Sequence, residues 1–408
     1  MAYTETTTTG YGSRITSSLK GILTGFLLVI AGTILLWWNE GRAVKTAKSI
    51  KNAVEQTTPV ADLATYNQAL NGQMICASGF ATTNDFVSDP YFGIGETAIR
   101  VERKVEFYQW IEHSQTKTED KVGGKQETTT TYTYSQGWAS SPINSGEFKD
   151  PEYQGKNFVV MSNLESADFQ AKNVTVGAYI LPESMISSIS GSEPIAVNLA
   201  AEKIADLNKT VAQALQKGDS LQFVTVSQNQ VYLGVNPNSP AIGDVKITFT
   251  KVMPANVTIW ARVVNNTFEH YVDAKHGKGV GGLYMGTCSL DSLQEQAESN
   301  NNFMTWLLRI VGFLLVFFGF KGLFGLLIAI LKVLPFLANI ANVAVSIVCG
   351  VVGFAWSLVI IAIAWLFYRP ILAIALIAVV VALFIFLSKR SKEAKAPAEQ
   401  PAETPAQA

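Results

Sequence analysis

GILTGFLLVIAGTILLWW, residues 21–38, decides the architecture. The run holds no ionisable side chain. As a helix it extends about 27 Å at about 1.5 Å per residue, close to the hydrocarbon thickness of a bilayer. Lipid offers no hydrogen bonds, so only a helix that pairs its own backbone can sit there. Trp37 and Trp38 close the run, where an aromatic belt meets the headgroups. A cleaved signal peptide is the competing reading, with Gly41-Arg42-Ala43 as a weak small-x-small site. The length of the run and its bulky tryptophans favour a retained signal anchor.

Outward from this span, the charge distribution divides the rest of the 408 residues. Hydrophobic residues make up 48% and charged residues only 15%, and the shortfall is concentrated in residues 21–38 and 303–388. In the second block, residues 303–320 read as one span, entered by Trp306 and Arg309. Lys321 and Lys332 bracket a further apolar stretch, which extends that span or lies in the interface until Pro335 breaks the helix. Residues 343–367 are long enough to cross, Arg369-Pro370 forms a break, and residues 371–387 cross again before Lys389 and Arg390. Four spans put both termini on one side. The basic residues Lys389, Arg390, Lys392 and Lys395 argue that this side is cytoplasmic. Arg42, Lys45, Lys48 and Lys51 argue the reverse, but they lead a long segment, and long segments translocate largely regardless of charge.

Residues 39–302 carry nearly all the acids and read as a water-facing domain. A helix continues out of the membrane first, with Ala43, Ala47, Ile50 and Val54 on one apolar face. Strand patterns follow. Ile99, Val101, Val105 and Phe107 share one parity, opposite Arg100, Glu102, Lys104 and Glu106. Val245, Ile247 and Phe249 alternate with polar residues, as do Val257, Ile259, Ala261 and Val263. Shorter strands are expected over 73–80, 130–138, 174–181, 221–226 and 230–235, and helices over 199–216 and 290–302, the last feeding into the second span. The polar stretch 115–131 is expected to be a hairpin loop, and residues 1–20 and 389–408 flexible tails.

Chemistry is sparse. The formal net charge of −1 supplies no basic field for nucleic acid. Between Phe303 and Ser388 there is no Asp, Glu or His, the groups that proton relays and intramembrane proteases need. Arg309, Lys321, Lys332 and Arg369 read as interfacial anchors, with contact to lipid phosphate as the minority reading for each, Lys321 and Lys332 foremost. His270, Asp273 and His276 match no standard metal spacing and read better as a solvated loop. HGKGVGG lacks the GK[ST] of a phosphate loop. Sequons at Asn173, Asn208, Asn256 and Asn265 matter only in a secretory lumen. Three cysteines make no disulfide framework; Cys76 and Cys288 could pair only if the fold brings them together.

Five segments together carry a specific resemblance: WWNEGRAVKTAKS (37–49), RKVEFYQWIE (103–112), TYSQGWASSPINSGEF (133–148), NSPAIGDVKITF (238–249) and WLFYRPI (365–371). In this order, over nearly the whole chain, they resemble the transmembrane protein 43 (LUMA) family. One departure is Phe158, where the family pattern suggests proline. The resemblance implies four spans and a luminal or extracytoplasmic domain. It also implies self-association, contacts with emerin- and lamin-type partners if the host is eukaryotic, and no catalytic activity. The compartment would then be the endoplasmic reticulum and inner nuclear membrane, or a bacterial inner membrane if the host is prokaryotic. Within the motifs, Asn39, Glu40, Gly41 and Arg42 lie at the membrane exit. There Glu40 and Arg42 suit headgroups or neighbouring chains, and Gly41 suits close packing or a bend. Tyr368, Arg369 and Pro370 read as a turn between spans, and Gln109 and Trp110 as the end of a sheet strand.

The expected architecture is therefore an α+β multi-pass membrane protein, with four transmembrane helices and a large β-rich extramembrane domain between the first and second. Its parts are the spans 21–38, 303–335, 343–367 and 370–388 and the domain 39–302. The expected function is a non-enzymatic scaffold that needs no cofactor, metal or nucleic acid. It would self-associate and hold membrane lipids and other membrane proteins. A lipid-handling protein or lipid transporter is the alternative.

Overall fold

The computed structural model describes residues 2–371 and 374, apart from 219, 220, 332 and 334. The expected fourth span and the C-terminal tail lie outside these residues. Three helices among those described are long and apolar enough to cross a membrane: Tyr11–Glu55, Leu290–Leu323 and Ile340–Tyr368. The chain forms two compact units. One takes residues up to 16, 46–300 and 329–338; the other takes 17–45, 301–328 and the described residues from 339.

In chain order the strands begin with β1 (Tyr3–Thr9), β2 (Thr57–Pro59), β3 (Met74–Thr83), β4 (Phe86–Ser88) and β5 (Gly95–Thr97). A long pair follows, β6 (Arg100–Asp120) and β7 (Gln126–Ala139), then β8 (Ala167–Gln170), β9 (Val174–Val176), β10 (Tyr179–Ile180) and β11 (Ser192–Pro194). Next come β12 (Val224–Ser227), β13 (Gln230–Leu233), β14 (Val245–Val252), β15 (Ala255–Val264) and β16 (Thr267–Glu269). Last are β17 (Tyr271–Val272), β18 (Gly279–Val280) and β19 (Gly282–Met285). The helices are α1 (Tyr11–Glu55), α2 (Glu183–Ile186), α3 (Ala201–Ala214), α4 (Leu290–Leu323), α5 (Gly325–Leu331) and α6 (Pro335–Tyr368).

The first unit holds two main sheets. One runs β1-β7-β6-β14-β13-β12, with β11 on β14 and β8 on β6; the other runs β10-β9-β3-β15-β16, with β19 on β15 and β2 on β3. Alternation explains their shared core. Val101, Val105, Phe107, Val245, Ile247 and Phe249 from the first sheet and Val257, Ile259, Ala261 and Val263 from the second are all buried in one cluster. β15 is covered on both faces. Its other parity sends Trp260 into a second cluster with Ile50 and Ala53 of α1 and Leu293 of α4. The apolar face expected on α1 is therefore rotated: Ala43, Ile50 and Ala53 are buried, whereas Ala47 is exposed.

Several expectations are corrected. Residues 115–131 are not a loop: β6 runs to Asp120, β7 resumes at Gln126, and 121–125 alone turn the chain. Gly123 and Gly124 take φ of +85° and +77° there, a conformation glycine adopts without strain. The expected N-terminal tail carries regular structure over residues 3–20: Tyr3–Thr9 pairs with seven consecutive residues of β7, and α1 begins at Tyr11 rather than 21. Threonine-rich strands form these pairs because β-branched side chains suit the pleat, although both of their faces are polar. Gln109 and Trp110 lie mid-strand, not at a strand end. The single strand expected over 174–181 is a hairpin, folded at Gly177 with φ +60°. The helix over 290–302, by contrast, is as expected: it feeds into the second span as the start of the continuous α4. Cys76 and Cys288 are both free thiols.

Candidate functional site

The motif after the first span builds a polar clasp in the second unit. Asn39 and Glu40 are fully buried on α1. The polar face opposite comes from Asn301, Thr305 and Arg309, spaced four apart on α4 and so on one side of that helix. Asn39 Nδ2 donates to the Thr305 carbonyl at 2.9 Å. Arg42 donates to Asn39 Oδ1 at 3.2 Å, to Asn301 Oδ1 at 3.1 Å and to Thr305 Oγ1 at 2.8 Å. Asn301 Nδ2 returns a bond to the Ala43 carbonyl at 3.0 Å.

Glu40 is the centre of the clasp. Arg309 Nε donates to its Oε1 at 2.7 Å and Trp365 Nε1 to its Oε2 at 2.8 Å. The Arg309 guanidinium also lies 4.9 Å from the centroid of the Trp306 ring and 5.9 Å from that of Trp365. Gly41 packs against the Tyr368 ring, where an added Cβ would come within 2.7 Å of Cζ. Arg369, just past the end of α6, stacks its guanidinium 5.9 Å from the Trp365 ring, and Pro370 takes up helix again. Asn39, Glu40, Gly41, Arg42 and Tyr368 are thus brought together by packing. Lys321 is a half-buried residue of α4, and Lys332 lies outside the described residues.

Gln109 and Trp110 form a separate fastening in the first unit. The fully buried Gln109 amide donates to the Ser141 carbonyl at 2.6 Å and accepts from the Ile143 amide at 2.9 Å, so it acts as a strand partner for that loop. Asn157 does the same for Trp110, donating to its carbonyl at 2.9 Å and accepting from its N–H at 2.8 Å. Downstream, Tyr232 donates its hydroxyl to the buried Asp244 carboxylate, which also accepts from the Ala241 amide. Burial pushes the Asp244 carboxyl up and outweighs these bonds. Phe158, the departure from proline, lies against Gly243, where a Cβ would meet its ring.

HYVDAKH folds around Asp273. Oδ1 accepts from the Lys275 and His276 amides at 2.7 and 3.0 Å. Oδ2 accepts from Asn52 at 2.6 Å and faces His276 Nδ1 at 3.2 Å. Among the described residues no group of three His, Cys, Asp or Glu side chains is placed to hold a metal ion. Burial raises the Asp273 carboxyl, but the bonds from His276, Asn52 and the two amides prevail and hold it at about 2. A free aspartate titrates near ~3.9. The carboxylate's contribution to stability is therefore complete above about pH 4 and lost as pH falls through about 2. The melting temperature of Asp273→Asn should trail wild type at about pH 5 and above, and the gap should close as pH falls from about 4 towards about 2. A gap that persists undiminished in acid would contradict this assignment.

With this geometry in view, comparison with known proteins gives a consistent answer. The sequence profile of transmembrane protein 43 matches residues 107–370. The chain belongs to the transmembrane protein 43 family. Mouse transmembrane protein 43 is 26% identical over 390 residues, covering 91% of this chain and 92% of its own. Human transmembrane protein 43 is 26% identical over 377 residues, covering 90% and 88%. The Drosophila melanogaster homolog is 23% identical over 364 residues, covering 87% and 90%. No solved structure matches. Membership makes this a membrane protein of the transmembrane protein 43 family.

Proposed function

We propose that this family member is a non-catalytic membrane scaffold that self-associates and holds other membrane proteins through its sheet-rich unit. The observation that carries the reading is where the motif side chains point. Asn39, Glu40, Arg42 and Gln109 engage other parts of the same chain and so fix helices and loops. Such groups position elements. The eight-stranded sheet also ends in β1 and β12, and an edge strand is the kind of element that can receive another strand. Emerin- or lamin-type partners belong to this reading only in a host with a nuclear envelope. The test is crosslinking in cells, followed by purification in mild detergent and mass measurement. Dimers or larger assemblies with reproducible membrane-protein partners are expected. A solitary monomer with nothing captured would remove the scaffold reading.

One observation favours a second reading, lipid handling. The second unit has an apolar groove of about 400 Å³, lined by Phe313, Phe354, Leu358 and Ile361 between Trp306 and Trp365. Mass spectrometry of co-purified lipid separates the two readings. One enriched lipid class, reduced by Phe354→Ala, supports lipid handling, and random bulk lipid opposes it.

A further inference from the structure

The two-sheet unit has a polar cleft of about 430 Å³ that none of the motifs accounts for. Its walls come from four segments: Asn52 and Gln56 from the end of α1, Arg262 from β15, Tyr271 from β17 and Lys275 from the following loop, with Met74 at its floor. A volume of this order suits a small organic ligand.

Its charge is unusual. Arg262 and Lys275 are exposed, and neither side chain has an ion-pair or hydrogen-bond partner among the described residues. Glu269 lies opposite Arg262 in the β15–β16 ladder yet forms no ion pair with it. The acid in the wall, Asp273, is saturated by the Lys275 and His276 amides, Asn52 and His276, and is nearly inaccessible. It therefore does not occupy the two cations. Gln56 Nε2 donates to the Tyr271 hydroxyl at 3.0 Å, which orients that O–H as a donor toward another acceptor. Asn52 and Gln56 keep their amide oxygens for hydroxyl donors. Two free cations, one of them a planar fork, match the roughly two negative charges of a phosphate monoester. Amide oxygens beside them match hydroxyls on the same molecule.

We propose that this cleft binds a hydroxylated phosphate monoester, with Arg262 and Lys275 holding the phosphate and Asn52 and Gln56 the hydroxyls. The ligand is either a free sugar phosphate or a phosphorylated polyol headgroup of a lipid, since both present the same chemistry.

The test uses the full chain in phosphatidylcholine nanodiscs and isothermal titration with glucose 6-phosphate, inorganic phosphate and glucose. Glucose 6-phosphate should bind more tightly than either fragment. R262Q and K275Q should each weaken it by about tenfold or more, the usual scale for losing a charge-assisted bond. Both side chains are exposed, so folding should survive, and an unchanged melting temperature checks this. Nanodiscs doped with phosphatidylinositol 4-phosphate distinguish the sources. Competition with glucose 6-phosphate assigns the cleft to a lipid headgroup, and undiminished binding assigns it to a soluble ligand. The proposal is overturned if the wild-type chain binds no phosphate ester in either setting, or if R262Q and K275Q bind as wild type does. Neither outcome touches the scaffold reading, which rests on assembly.

Discussion

Glu40→Ala is expected to destabilise the helical unit by about 3–5 kcal/mol, because it leaves the Arg309 charge buried without its counter-ion. Glu40 is fully buried and the Arg309 side chain keeps only 14% of its exposure, and their 2.7 Å contact is the shortest link between α1 and the polar row on α4. The same change removes the acceptor of the Trp365 indole N–H, so α6 loses a fixed point as well. Glu40→Gln should cost less, since an amide oxygen can still accept one of the two bonds while the charge pairing is lost. The decisive variant is the double replacement Glu40→Ala with Arg309→Leu. Removing both charges removes the uncompensated one, so the double variant should melt above Glu40→Ala alone. Thermal melting in detergent measures all three. If Arg309→Leu lowered stability further on top of Glu40→Ala, the pair would not be the unit described here.

How far this clasp could be read in the sequence depends on which side of it one considers. Asn39, Glu40 and Arg42 stand out because they interrupt the exit of an apolar run. Their partners lie some 260 residues on, and only a polar row at steps of four, Asn301, Thr305 and Arg309, marks them. Read as single residues they look like a helix entering the membrane. Read as one helix face, they ask for a polar partner. The strands show the same division. Val245, Ile247 and Phe249 are legible because one face is apolar and the other wet. β1 and the far halves of β6 and β7 were not legible, because threonine on both faces leaves no alternation and the pairing itself does the ordering. The cleft beside Asp273 was less visible still. Its cations come from a strand and a loop, and nothing in HYVDAKH announces that its acid would be saturated from within.

The second large effect concerns glycines, and here helix propensity and packing predict opposite signs. α1 and α4 approach through Gly25 and Gly32 on one side and Gly312 and Gly319 on the other. Position 25 faces 319 and 32 faces 312, the register of antiparallel helices. An added Cβ at Gly25 would lie 2.7 Å from the Gly319 carbonyl oxygen and 3.0 Å from the Leu323 nitrogen. Both are backbone atoms, which cannot rotate away. Lipid supplies no hydrophobic drive to press helices together, so close backbone contact of this kind is what holds them. Within a lone helix, Gly→Ala gains about 1 kcal/mol. At Gly25 that gain should be overwhelmed: Gly25→Ala should lower stability, and Gly25→Leu should lower it by about 3 kcal/mol or more, as overpacking forces the helices apart. Gly21, one turn earlier with nothing within 4 Å of its added Cβ, is the control. Gly21→Ala should be neutral or stabilising. Melting of the three variants in the same detergent decides between the two effects. Equal behaviour of Gly21→Ala and Gly25→Ala would mean that propensity governs and that the seam is slack. The opposite signs expected would mean that α1 and α4 are held at backbone contact, the spacing at which Glu40 can reach Arg309.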